Sequence, residues 1–315
     1  MTDYELAVRM QGVTKRFGSH NAVSDLDLDV PAGSIYGLLG PNGSGKTTAI
    51  RMIMGILHPD VGTVSLFGSN PDLSRRERVG YLPEERGVYR KMKVMDLLLF
   101  LAEIRGISRA EGRRRASAWL DRLDLGPWAE RRVEDLSKGM QQKVQFVGTV
   151  IHEPRLLILD EPFSGLDPIN QDVLEGIVRE LSRAGVTILL STHLMDQAER
   201  LCERVCLISK SHKVLDDDLR ALKARERRGV VAVEFTGPDR WLERPEIEAV
   251  EWVEGTLHLV LSDPDAHQSV LRGAMADGAE ILRFDLVEPR LHEIFLRHVG
   301  AEGPRPAESD PGRVA

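Results

Sequence analysis

Gly40-Pro41-Asn42-Gly43-Ser44-Gly45-Lys46-Thr47-Thr48 fits the phosphate-binding pattern G-x-x-x-x-G-K-[ST], and what flanks it decides the fold class. Glycines 40, 43 and 45 let the backbone take positive φ, so successive N–H groups can converge on an anion, and Lys46 adds a mobile positive charge. Upstream, Ile35-Tyr36-Gly37-Leu38-Leu39 reads as a buried strand; downstream, Ile50, Ile53, Met54 and Leu57 recur at the spacing of one apolar helix face. Strand, loop and helix place the anion at a helix N-terminus, where the helix dipole adds to the attraction. A nucleoside triphosphate is the ligand this order predicts.

Outward on the N-terminal side, Asp25-Leu26-Asp27-Leu28-Asp29-Val30 and Gly62-Thr63-Val64-Ser65-Leu66-Phe67-Gly68 suggest half-buried antiparallel strands. Phe17 stands a little over twenty residues before the loop and is placed either to stack on an adenine or to fill a core. On the C-terminal side, Val79-Gly80-Tyr81-Leu82-Pro83 is a short strand running into Glu84-Glu85-Arg86-Gly87, and a long helical stretch spans about Val94 to Leu125. Its Arg109, Arg113, Arg114 and Arg115 form a solvated face or a contact for anionic lipid headgroups. Leu136-Ser137-Lys138-Gly139-Met140-Gln141-Gln142-Lys143 opens another helix, carrying Val144, Val147, Val150 and Ile151, with Ser137 as its cap. Leu156-Leu157-Ile158-Leu159 is an uninterrupted apolar run, the mark of a central parallel strand, and it ends in Asp160-Glu161. A hard-oxygen carboxylate suits Mg²⁺ at Asp160, and Glu161 can polarise a water. Ser164-Gly165-Leu166-Asp167-Pro168 turns into a helix with Leu174, Ile177, Val178 and Leu181 on one face; Val186 to Thr192 is a further buried strand, with His193 just past its end.

Taken together and in this order, these motifs resemble an ABC-transporter ATPase over about residues 5 to 215; the Leu-Ser-x-Gly-x-Gln string is the discriminating part. The resemblance implies an α/β P-loop cassette: a mixed-sheet core, an antiparallel β subdomain and a helical subdomain at about 88–152, in a domain spanning 1–215. It also implies the roles. Lys46 contacts the β- and γ-phosphates of ATP within a cradle that includes Gly40, Asn42, Gly43, Ser44, Gly45 and Thr48. Thr47 and Asp160 hold Mg²⁺, Glu161 is the general base, His193 touches the γ-phosphate, and Phe17 stacks on adenine. Ser137 and Gly139 contact the γ-phosphate bound by the opposite cassette, so that two cassettes close head to tail over two ATP molecules, and Asp167 is counted among the nucleotide-binding residues. Glu84 stands where the family usually has a metal- and water-sensing Gln, and Lys138 and Met140 replace Gly and Gln in the signature. The Tyr81-Leu82-Pro83-Glu84-Glu85-Arg86-Gly87 string is most similar to bacterial drug- and sodium-export cassettes. Those work with a separate membrane permease, whose docking groove would be lined by Tyr89, Met92, Val94, Met95 and Leu97 or would leave these to the helical core.

Composition agrees with that class. A net charge of −7 over 315 residues argues against nucleic acid as the main partner, which weighs against a soluble ABC ATPase acting on RNA, ribosomes or an assembly scaffold. The longest apolar run, Leu97 to Ala102, falls far short of the roughly 20 residues that span a bilayer. The N-terminus lacks a basic start followed by an apolar stretch, so the expected location is the cytoplasm, peripheral on the inner face of the cell membrane. Cys202 and Cys206 have no clustered ligands and read as core residues. After Lys213 the pattern changes to a small α+β domain, 216–300: strands at Val230 to Phe235, Thr256 to Leu261 and Ile281 to Leu286, a turn at Glu254-Gly255, and helices at Ala266 to Ala276 and around Leu291 to His298. It carries no catalytic grouping, so regulation, dimer support and permease contact are all open. Residues 301–315, rich in Pro, Gly, Glu and Ser, read as a disordered tail.

Overall fold

The computed structural model describes residues 5–71, 77–84, 89–227, 229–253 and 255–300. The expected tail at 301–315, the first four residues, Glu254 and Glu85-Arg86-Gly87 lie outside them. Two compact units divide between Asp218 and Leu219.

In the first unit, β1 (Leu6–Phe17), β2 (His20–Pro31) and β4 (Val61–Leu66) form an antiparallel sheet in the order β2-β1-β4. Alternation along β2 buries Leu26, Leu28 and Val30 and exposes Asp25, Asp27 and Asp29, which fixes which face meets the core. A second sheet has the order β5-β6-β7-β3-β8-β9, from β5 (Val79–Leu82), β6 (Leu156–Asp160), β7 (Thr187–Thr192), β3 (Ile35–Leu39), β8 (Arg204–Ser209) and β9 (His212–Asp218). All its pairings are parallel except β8 with β9. Every residue of β3, β6 and β7 is buried, as their unbroken apolar runs require of strands covered on both faces. The helix α1 (Lys46–Ile53) packs Ile50, Met52 and Ile53 between the two sheets, against residues such as Met10, Leu28, Leu38 and Ile158. It stops two turns after the phosphate loop, because Gly55 turns left-handed (φ 62°). Leu57, expected on the helix face, therefore lies past its end and packs on the same core from the following turn.

The long helix expected from Val94 to Leu125 is two helices, α2 (Val94–Glu103) and α3 (Arg109–Arg122). Gly106 (φ 78°) ends the first, and Ser108, whose hydroxyl accepts from Glu111 N–H at 3.4 Å, caps the second. Of the arginines on α3, Arg114 and Arg115 bind Glu111 and Arg109 binds Glu103, so this face is laced by local ion pairs. Val94, Met95 and Leu97 are buried, and the exposed apolar residues of this segment are Tyr89, Phe100 and Ile104. α4 (Lys138–Val150) begins at Ser137, whose Oγ accepts from Met140 N–H at 3.3 Å. α5 (Pro168–Arg183) follows β6, and α6 (Met195–Leu201) follows β7. Cys202 and Cys206 are unbridged and buried, and burial pushes both thiols up.

The second unit starts with α7 (Leu219–Arg225) and contains a four-stranded antiparallel sheet, β11-β12-β10-β13, from β10 (Val230–Thr236), β11 (Ile247–Val253), β12 (Thr256–Leu261) and β13 (Glu280–Leu286). α8 (His267–Ala276) covers one face, where Val231, Val233, Leu257, Leu259 and Val270 enclose Trp241; α9 (Leu291–Gly300) ends the described chain. β11 is the strand the sequence conceals: as an edge strand it leaves Val250, Trp252 and Val253 exposed between glutamates, so no two-residue alternation survives. No helix among the described residues is long and apolar enough to cross a membrane.

Candidate functional site

The loop after β3 needs glycine for reasons of space. A Cβ on Gly40 (φ 150°) would stand 2.1 Å from Ile208 O and 2.7 Å from Ser44 Oγ, and one on Gly45 (φ 113°) 2.3 Å from Ala22 O. Gly45 occupies the N-cap of α1, and Lys46, its first residue, folds its buried ammonium back onto the loop, donating to Gly40 O (2.7 Å) and Pro41 O (3.1 Å). Burial lowers the Lys46 pKa, and the carboxylates of Glu161, Asp160 and Glu84 pull it back up. The charge thus faces three acids and only neutral carbonyls as direct partners. It is poised for an anion.

One turn into α1, Thr47 Oγ1 donates to Asp160 Oδ2 at 3.1 Å. Asp160 ends β6, buried; its Oδ1 has no hydrogen-bond partner, and burial raises its pKa. A buried, half-satisfied carboxylate beside a hydroxyl is a donor set for a hard cation. No group of three His, Cys, Asp or Glu among the described residues could enclose a metal.

Glu161 takes a left-handed backbone (φ 49°), a conformation non-glycine residues adopt at a cost, while its N–H donates to Ser191 O at 2.9 Å. Its carboxylate is the most heavily hydrogen-bonded group of the site. Oε1 accepts from the His193 N–H (2.9 Å) and lies 2.7 Å from His193 Nδ1, and Oε2 accepts from Thr192 Oγ1 (3.1 Å). The parallel pairing of β6 with β7 brings these groups together by setting Asp160 beside Ser191.

These residues border a cleft of about 480 Å³. Asn42, Gly43, Gly45, Lys46, Thr47 and Thr48 form one side, Asp160, Glu161 and Glu84 another, and Phe17 the mouth. Phe17 is half-exposed, so the core alternative does not hold; Lys15 Nζ sits 5.7 Å from its ring centre. His20, on the same hairpin turn, also lines the cleft, and nothing in the sequence marked it. Gly40 and Ser44 are loop residues outside the lining, with Ser44 buried. His193 reaches the site through Glu161. Ser137, Gly139 and Asp167 do not line the cleft; of these, Gly139 lies against Leu166 and Asn170, on either side of Asp167 in the chain. A Cβ on Gly139 would touch Leu166 at 3.4 Å and Asn170 at 4.0 Å, and Asp167 caps α5 by accepting from Asn170 N–H at 3.1 Å. A separate groove in the same unit, bordered by Tyr81, Pro83, Tyr89, Leu101, Ile104 and Arg105, runs between β5 and α2.

Comparison with known proteins agrees with this geometry. Residues 23–164 match the ABC transporter family model, and residues 218–299 match the C-terminal domain of ATP-binding proteins like DrrA1-3. The ABC transporter ATP-binding protein YhaQ of Bacillus subtilis strain 168 is 42% identical over 92% of this chain and 97% of its own length. The Nod factor export ATP-binding protein I of Burkholderia lata is 35% identical over 94% of this chain and 97% of its own. Among solved structures, the ATP-binding subunit of an ABC transporter aligns at 31% identity with a TM-score of 0.65, over 70% of this chain and 92% of that one.

Proposed function

The chain belongs to the ATP-binding proteins of ABC transporters and is an ATPase, and from that premise we propose that it closes as a dimer over two ATP–Mg²⁺ to drive export through a separate membrane permease. The observation that carries this reading is the Glu161 carboxylate, fixed by His193 and Thr192 beside the Thr47–Asp160 pair at the mouth of the phosphate loop.

In this reading Lys46 leaves its loop carbonyls for the β- and γ-phosphates, and the loop N–H groups hold the remaining oxygens. Bound Mg²⁺ would neutralise charge developing on the phosphates, and Thr47 and Asp160 would hold it. Glu161 orients the attacking water and accepts its proton, while His193 keeps the carboxylate aimed and meets the γ-phosphate. Phe17 stacks on the adenine. Glu84, exposed at the cleft edge, accepts a hydrogen bond from water or binds the metal in place of an amide. Ser137, Gly139 and Asp167 lie outside the chain's own cleft, which suits a role against the nucleotide of a second cassette. Export is supported by the relative that serves Nod factor export. The groove beside Tyr89 and Ile104 offers exposed apolar residues to a permease helix, and a cassette so docked would lie on the inner face of the membrane.

Glu161→Gln keeps the shape and removes the base. ATP binding should persist while turnover falls about 100- to 10,000-fold; undiminished hydrolysis would refute the assignment. The same variant, tagged and recovered with ATP from detergent-solubilised host membranes, should bring down a polytopic membrane protein. Recovery of a soluble dimer alone would count against the permease.

A further inference from the structure

Among the described residues the buried carboxylates are Asp160, Glu161 and a third, Glu175, which lies outside the cleft. Glu175 sits about two turns into α5, on the side facing α6. Arg200, in the last turn of α6, binds it through both arms of the guanidinium: NH2 donates to Oε1 at 2.6 Å and Nε to Oε2 at 3.3 Å. Arg179 stands 3.9 Å from the same carboxylate and donates to Arg200 O at 3.1 Å, so it ties the end of α6 to α5 a second time. The Glu175 side chain is 4% exposed and that of Arg200 49%: the acid is buried and the arginine closes over it from the solvent side.

The two helices are the continuations of the two loops that meet at the site. α5 starts directly after the segment from Glu161 to Asp167, and α6 starts two residues after His193. Glu161 and His193 are joined by a 2.7 Å contact and a 2.9 Å backbone hydrogen bond. Contacts that short tolerate little relative sliding of the loops, since N–H···O bonds favour about 2.7–3.2 Å and weaken as they bend. Parallel pairing of β6 and β7, with the Glu161 N–H bonded to Ser191 O, fixes where the loops begin, and α5 and α6 fix where they end, so the exit of Glu161 and His193 from the strands is set from both sides. A buried carboxylate gripped by a planar fork has one good geometry, and breaking it leaves a charge without compensation.

We propose that Glu175 and Arg200 are a positioning pair: by locking α5 to α6 they hold His193 in register with Glu161, and so set the rate of ATP hydrolysis without touching the nucleotide. This rests on the ATPase site described above. Arg200→Ala should lower kcat about 10-fold with KM for ATP changed less than about 3-fold, because the phosphate loop is not on either helix. Arg200→Lys, a point charge without the fork, should fall between. The discriminating measurement is the cycle with His193→Ala. If Arg200 acts through His193, Arg200→Ala costs no further activity once His193 is gone. Should Arg200→Ala prove too unstable to assay, Glu175→Gln/Arg200→Gln avoids the stranded charge and should show the same kcat loss with KM held. Wild-type kcat in the folded Arg200 variants, or a full additional loss in the His193→Ala background, overturns the proposal while Glu161→Gln still abolishes turnover. If Glu161→Gln and His193→Ala themselves leave turnover intact, the site assignment fails and this pair's role fails with it.

Discussion

A methyl group at position 40 has no room: Cβ would lie 2.1 Å from Ile208 O in β8, on a backbone at φ 150° that L side chains rarely adopt. Gly40→Ala should therefore push the phosphate loop off β8 and weaken binding of a fluorescent ATP analogue at least about 10-fold, an estimate from the roughly 1.4 kcal/mol that such strain readily exceeds. Wild-type affinity would show that the loop can relax. That Lys46, Thr47, Asp160 and Glu161 border one cleft was legible in the sequence, because each stands at a fixed place beside a strand end. His20 was not, because a single exposed residue at the start of a strand carries no periodicity, and only the fold sets the Phe17–His20 hairpin end against the phosphate loop.

Elements were legible where an apolar period met a clear stop. The run from Val94 to Leu125 misled because helical spacing continues on both sides of Gly106, whose left-handed φ of 78° breaks it. Nothing lies within 4 Å of a Cβ built there, so Gly106→Ala is a pure test of backbone conformation. It should cost about 1–2 kcal/mol, read as a lower urea midpoint; no loss would mean that the turn adopts another form. The junction of α4 with β5 holds a pH-sensitive group. His152 follows α4 and donates from Nε2 to Val79 O at 3.3 Å; burial, aided by the charge of Arg105, pushes its pKa down to about 4. An unfolded histidine takes its proton near about 6.5. Between these values the unfolded chain binds more protons, so this contribution is intact above about pH 6.5 and lost as the pH falls toward about 4. His152→Leu should flatten the dependence of the urea midpoint between pH 7 and 5; an unchanged slope would assign it to other groups.

At the scale of the molecule, every residue of the candidate nucleotide site lies in the unit that ends at Asp218. A chain stopped after Asp218 should bind the ATP analogue within about 3-fold of the full chain, while a larger loss would assign the second unit a part in forming the site. The sequence by itself determined the phosphate loop between strand and helix, the buried parallel strands and the family, because these are properties of contiguous residues: φ angles, apolar runs, acids at a strand end. Only the tertiary structure decided that Glu161 meets His193, that Glu175 meets Arg200, and that Ser137, Gly139 and Asp167 stand apart from the chain's own cleft. Those pairings join residues far apart in the chain. The order β5-β6-β7-β3-β8-β9 and the seating of the helices against it bring them together, and no local pattern encodes a distance between segments.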